Sequence, residues 1–252
     1  MIPRAAQQLW DDPEKDFRQR YVLPEQFIWD KADLPRMDFD GYMAVTLGLL
    51  PKPPARVVDV GCGPGLGAKI MSQHGYEVVG LDYSQRGVAF AKLLVPEAQF
   101  FHADVRLLAD MTHLHNQFDV ATHIEVFEHI PPEFHSQVLQ GIHTLLRPSG
   151  LLILSVPSIH MPLNKWHYKH FFRDEIISLI RENGFQVQKA IYQHYISILF
   201  SYQFWRLIRN RYYDIPFIRY KLREVFLRWY NTTNDSEKAG RFIIKAQKIL
   251  NS

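Results

Sequence analysis

Short apolar runs alternate along most of the chain with longer amphipathic stretches. Val57-Val58-Asp59-Val60, Val78-Val79-Gly80-Leu81, Phe118-Asp119-Val120-Ala121-Thr122-His123-Ile124 and Leu151-Leu152-Ile153-Leu154-Ser155-Val156 are nearly continuous in apolar character. Such runs are the mark of strands covered on both faces, as in a parallel sheet. Gln99-Phe100-Phe101-His102 and residues 185–192 add two strands, and residues 241–247 a last one. Helical spacing occupies 38–50, 66–74, 84–94, 132–146 and 174–183, with Val138, Leu139, Ile142 and Leu146 forming one apolar stripe. The stop signals agree: Pro51 and Pro53, Gly75, Pro96 and Gly184 each follow a helix. Arg147-Pro148-Ser149-Gly150 reads as a turn. The alternation predicts a doubly wound, mostly parallel α/β sheet with helices on both faces.

Two stretches depart from it. Residues 1–38 mix Trp10, Phe17, Tyr21, Phe27 and Trp29 with many charges and read as an N-terminal helical lid ahead of a main domain over 39–252. Residues 193–236 read as a helical insert before the final strand. It is apolar and aromatic from Tyr195 to Trp205, then basic and aromatic from Arg206 to Tyr230.

With 252 residues and 47% apolar content, the chain can build one sizeable core. A net charge of +3 does not by itself imply a polyanionic partner. Cys62 is the sole cysteine, so an intrachain disulfide is excluded. No apolar run follows Met1-Ile2-Pro3-Arg4 and none reaches 18 residues, so neither export nor membrane spanning is expected; a cytoplasmic protein, in peripheral contact with a membrane at most, is.

The candidate chemistry starts at Asp59-Val60-Gly61-Cys62-Gly63-Pro64-Gly65-Leu66-Gly67, where a buried strand turns abruptly into a helix. Gly61, Gly63 and Gly65 let backbone approach a ligand, with their amide groups expected to face it. A dinucleotide fingerprint wants its third glycine at Leu66, and a P-loop wants Lys-Ser/Thr where Ala68-Lys69-Ile70 stands, so both fail. Asp82 ends the second strand about 20 residues beyond the first glycine, the offset at which an acid accepts hydrogen bonds from ribose hydroxyls. Its alternative role, capping the next helix, can fall to Ser84.

This spelling, D-x-G-C-G-x-G, resembles motif I of the class I S-adenosylmethionine-dependent methyltransferases, and the resemblance extends over about residues 55–190. It implies a seven-stranded, Rossmann-like sheet whose final strand is antiparallel, and S-adenosylmethionine as cofactor. It further implies cofactor contacts from Asp59, Gly61, Cys62, Gly63, Gly65, Asp82, Tyr83, Asp104 (at the adenine), Val105, Ile124 and Glu125.

The acceptor site then belongs beyond the fourth strand, at Glu125-Val126-Phe127-Glu128-His129. On a helical turn Glu125, Glu128 and His129 share a face at i, i+3 and i+4. Either His129 serves as general base, or the three hold a divalent ion (Mg²⁺, Mn²⁺ or Zn²⁺). The spelling E-x-x-E-H resembles the ubiquinone-pathway O-methyltransferases. It is also similar to the small-RNA 3′-terminal 2′-O-methyltransferases, in which Glu, Glu, His and a later His bind a metal. The later His is His167 or His170, and His170 completes the expected set.

O-methylation of a hydrophobic or phenolic small molecule is the expected activity, since clustered aromatics suit such an acceptor. An RNA 2′-O-methyltransferase and a non-catalytic methyltransferase-like binding subunit are the alternatives. The insert is open to three readings: a cover for the acceptor pocket, a membrane-surface element with snorkelling arginines, or a single-stranded nucleic-acid surface.

Overall fold

A computed structural model describes residues 34–194, 209–210, 213–229 and 236–249. Its elements are α1 (Leu34–Leu49), β1 (Arg56–Val60), α2 (Leu66–Gln73), β2 (Glu77–Asp82), α3 (Gln85–Leu94), β3 (Gln99–His102), β4 (Phe118–Ile124), α4 (His135–Leu145), β5 (Leu146–Pro157), α5 (Arg173–Glu182), β6 (Phe185–His194), a small pair β7 (Arg209–Asn210) and β8 (Tyr213–Asp214), α6 (Pro216–Trp229) and β9 (Ala239–Lys248).

The sheet has seven strands in the order β3-β2-β1-β4-β5-β9-β6. β1, β2, β3, β4 and β5 run parallel, and β9 inserts antiparallel between β5 and β6. The predicted doubly wound sheet is therefore present, including its antiparallel strand. Strand order reverses between β1 and β4, which opens a crevice beyond their carboxyl ends.

Two apolar clusters cover the two faces, and the two-residue side-chain period explains the split. Val58 and Val60 join Phe118, Phe127, Leu139 and Leu154 on one face. Val57 joins Met43, Met71, Phe100, Ile153 and Ile243 on the other. Gly80 in β2 has no room for a side chain, because a Cβ would lie 2.5 Å from the Phe100 ring and 2.7 Å from Cys62 Sγ.

Two boundaries need correction. The expected turn at 147–150 lies inside β5 as an irregularity: the register jumps from Phe118↔Leu146 to Val120↔Leu151, with Ser149 at φ 61°. The helix expected from 132 starts as a tight 3₁₀ turn, Pro132–Phe134, and becomes α-helical only at His135.

The expected lid lies outside the described residues up to residue 33, and its end at 38 falls within the continuous helix α1. Residues 195–208, 211–212 and 230–235 of the expected insert likewise lie outside them. What is described there includes α6, whose Arg223 forms an ion pair of 2.9 Å with Asp40 of α1. Among the described residues, no helix is long and apolar enough to cross a membrane.

Candidate active site

The glycine loop forms the floor of the crevice. Gly61, Gly63 and Gly65 have φ of 84°, 52° and 90°, left-handed values that other residues adopt at a cost. A Cβ on Gly61 would fall 2.4 Å from the side chain of Val126 in the loop after β4, and one on Gly65 would crowd Ala91, Phe100 and Val95. At Gly63 nothing among the described residues lies within 4 Å of that position. Two of these glycines thus allow close packing.

The amide groups of the bend have partners within the protein. Gly61 and Cys62 N–H donate to Leu81 O at 2.7 and 3.1 Å, Gly65 N–H donates to Cys62 O at 3.0 Å, and Gly63 N–H donates to Asp82 Oδ2 at 2.7 Å. The bend satisfies its own donors, because a tight turn next to a parallel strand meets carbonyls and a carboxylate before it meets solvent.

Asp82 is therefore part of the loop's architecture as well as its rim. Its Oδ1 accepts from Ser84 N–H at 2.8 Å, while Ser84 caps α3 by accepting from Gly87 N–H. Asp59 lies deeper. Its register opposite Thr122 lets the threonine hydroxyl donate to Oδ1 at 2.7 Å, and burial pushes its carboxyl up to about 6 against that bond. Cys62 packs on Gly80, with its thiol pushed up by burial and then by the Asp82 charge.

On the expected adenine side, the Tyr83 and His102 rings stack at 6.4 Å. Asp104 accepts from Arg106 N–H at 2.9 Å and pairs with its guanidinium. Burial works the other way, but the bonds and charge of Arg106 hold the Asp104 carboxyl below the usual range. The Val105 side chain belongs to the core.

Beyond β4, Ile124 is partly buried against the core and Glu125 breaks the chain direction with φ 55°. The expected helical turn over 125–129 is absent; a 3₁₀ turn spans only Phe127–His129. Glu125 consequently leaves the face it was expected to share. Its Oε1 accepts from Ser155 Oγ at 2.8 Å, and its Oε2 lies 2.9 Å from the Arg241 guanidinium.

Glu128, His129 and His167 come together instead, each offering one ligand atom, all within 4.8 Å of one another. Glu128 is 1% exposed, and its Oε2 has no hydrogen-bond partner among the described residues. Burial, reinforced by the Glu125 charge, pushes its carboxyl well up. His129 Nε2 lies 4.0 Å from Glu128 Oε1.

Hydrogen bonds assign the tautomers. His129 Nδ1 lies 3.0 Å from Trp166 O, a pure acceptor, so Nδ1 holds the proton and Nε2 is the basic nitrogen. His170 Nδ1 donates to Met161 O at 3.1 Å, which makes His170 Nε2 the acceptor for His167 Nδ1–H at 2.8 Å. His167 Nε2 then carries the lone pair. Burial, with His129 and His170 adding, pushes His167 down to about 3, so the ring is neutral. His170 orients His167 instead of joining the cluster, which corrects the expected set of Glu125, Glu128, His129 and His170.

Arg241, Asp38, Tyr42 and Ser155 escape sequence reasoning. Arg241 had one visible sign: a full charge opening an apolar strand.

The comparisons with known proteins can be set beside this geometry. A family model described as a methyltransferase domain matches residues 39–190. A ubiquinone biosynthesis O-methyltransferase of Leptothrix cholodnii is 29% identical over 150 residues, covering 58% of this chain and 57% of that protein. An S-adenosylmethionine-dependent methyltransferase of Archaeoglobus fulgidus superposes with TM-score 0.59 at 15% identity over 84% of this chain and 94% of its own. The Burkholderia thailandensis 1,6-didemethyltoxoflavin-N1-methyltransferase, solved with S-adenosylhomocysteine, gives TM-score 0.54 at 17% identity over 97% and 85%.

Proposed function

This chain belongs to the methyltransferase-domain family, and we propose that it is an S-adenosylmethionine-dependent methyltransferase acting on an oxygen of an apolar or phenolic small molecule. The cofactor's place in the crevice is supported by a left-handed Gly63 that meets no described residue within 4 Å and by Asp82 ending β2 beside it. Gly61, Gly63 and Gly65 would shape the methionine end, Asp82 would accept from the ribose, and Asp104 with Tyr83 would line the adenine. Ile124 and Glu125 would flank the sulfonium. When bound, the cofactor supplies an electrophilic methyl group on a neutral leaving group.

What remains for the protein is to align the acceptor and take its proton. The Glu128, His129 and His167 cluster carries the proposal, because the His129 Nε2 lone pair, fixed beside a buried carboxyl, can receive a hydroxyl proton, while His167 stays neutral next to it. The ubiquinone-pathway relative, itself named an O-methyltransferase, supports the same choice of atom.

The same cluster supports a second reading, a divalent ion on Glu128, His129 and His167 that lowers the pKa of the acceptor hydroxyl. His170 would then be the group that fixes a ligand's tautomer.

The test is methyl transfer from labelled cofactor into catechols, monophenols and a short single-stranded RNA. Label in an organic-extractable catechol or phenol supports the proposal. Label in RNA alone overturns it in favour of nucleic-acid methylation, and cofactor binding without transfer to any acceptor favours a binding subunit.

A further inference from the structure

We infer that Arg241 is a positioning residue for the methyl-transfer site, holding the Glu125 carboxylate against the place of the sulfonium and tying it to α1. The inference rests on the proposal that Glu125 flanks that sulfonium.

Arg241 lies on β9, beyond the matched stretch 39–190, and is 4% exposed. Its guanidinium reaches three elements at once. It lies 2.9 Å from Glu125 Oε2 after β4, donates at 3.1 and 3.2 Å to the two carboxylate oxygens of Asp38 in α1, and donates at 3.0 Å to Gln193 Oε1 in β6. Its Cζ also stands 4.6 Å from the centre of the Tyr42 ring, one turn along α1 from Asp38. Planar, multidentate geometry of this kind is a property of arginine that lysine reproduces only as a point charge.

Glu125 needs such a hold. Its left-handed backbone is disfavoured for a residue with a side chain, and such conformations persist where the surroundings over-determine them. Here Ser155 engages Oε1 and also accepts from Glu125 N–H at 3.1 Å, while Arg241 engages Oε2. Both carboxylate oxygens are thus oriented by residues of β5 and β9. The Asp38 contact links the same guanidinium to α1, whose Met43 packs beside Gly67 at the start of α2. One side chain therefore ties the wall of the crevice to the acid at its acceptor end.

The charges provide a readout that simple packing would not move. Arg241 repels a cation through its own charge but holds the carboxylate that attracts one, so a substitution that keeps the charge and loses the fork isolates the positioning role: the preference for a cationic ligand over a neutral one should fall. S-adenosylhomocysteine is neutral at sulfur, whereas sinefungin carries a protonated amine where the sulfonium methyl belongs.

Calorimetric Kd values for both ligands at pH 8 should show sinefungin losing roughly tenfold relative to S-adenosylhomocysteine in Arg241→Lys, which keeps the charge but not the fork. Glu125→Gln should lower the preference for sinefungin in the same direction, and this variant decides the matter should Arg241→Lys not fold. An unchanged ratio in Arg241→Lys or in Glu125→Gln overturns the inference. Absence of S-adenosylhomocysteine binding to the parent protein would instead strike at the cofactor site itself.

Discussion

Gly61→Ala is the sharpest probe of how the glycine loop meets the loop after β4. At φ 84° an alanine costs about 1–2 kcal/mol in backbone strain. Its Cβ would also lie 2.4 and 2.7 Å from Val126 Cγ2 and Cγ1, well inside van der Waals contact. Overpacking of that kind adds roughly 1–3 kcal/mol. The sum, about 2–5 kcal/mol, is a large share of the 5–15 kcal/mol that stabilises a typical domain. Because Val126 follows Glu125 directly, any relief by displacement moves the acceptor end of the crevice, so S-adenosylhomocysteine affinity should fall too. Urea unfolding followed by circular dichroism measures the first effect and calorimetry the second. Val126→Ala in the same chain removes both clashing methyl groups and should return the steric part, leaving the strain. A Gly61→Ala protein within about 0.5 kcal/mol of the parent, or a Val126→Ala change that gives no relief, would refute the packing account.

Asp82→Ala removes the acceptor of both Gly63 N–H and Ser84 N–H, so stability should fall by about 1–3 kcal/mol per orphaned donor, and with the proposed ribose acceptor gone S-adenosylhomocysteine binding should weaken; unchanged stability and affinity by urea unfolding and calorimetry would contradict it. Asp59 has its carboxyl pushed up to about 6, so the stability it contributes is present below its unfolded value near 4 and lost as pH rises through 6. Asp59→Asn should therefore improve stability at pH 8 relative to its effect at pH 4, by roughly 2–3 kcal/mol, and an equal effect at both pH values in denaturant titrations would exclude it. If a divalent ion sits on Glu128, His129 and His167, then Mg²⁺, Mn²⁺ or Zn²⁺ should raise the melting temperature after chelation, and His167→Ala should abolish the rise. Full methyl transfer after exhaustive chelation would leave His129 as base without metal.

The sheet was legible because each strand is a short apolar run bounded by turn residues, and that signal is local. The glycine loop and Asp82 were legible for the same reason: their spacing is set by one strand, one bend and the next strand. The irregularity inside β5 was misread as a turn because Pro148, Ser149 and Gly150 carry turn chemistry wherever it is used.

Local pattern thus specified which segments form strands and where the backbone bends at Gly61, Gly63 and Gly65. Folding in three dimensions decided the partners. Leu81 O and Asp82 claimed the amide groups of the bend, a left-handed Glu125 removed the helical face it was expected to share, and His167 took the place given to His170. Arg241 meets Asp38 across 203 positions of chain, because β9 inserts between β5 and β6. The physical reason is that a hydrogen bond or ion pair depends on distance in space, whereas periodicity and spacing report only on neighbours along the chain.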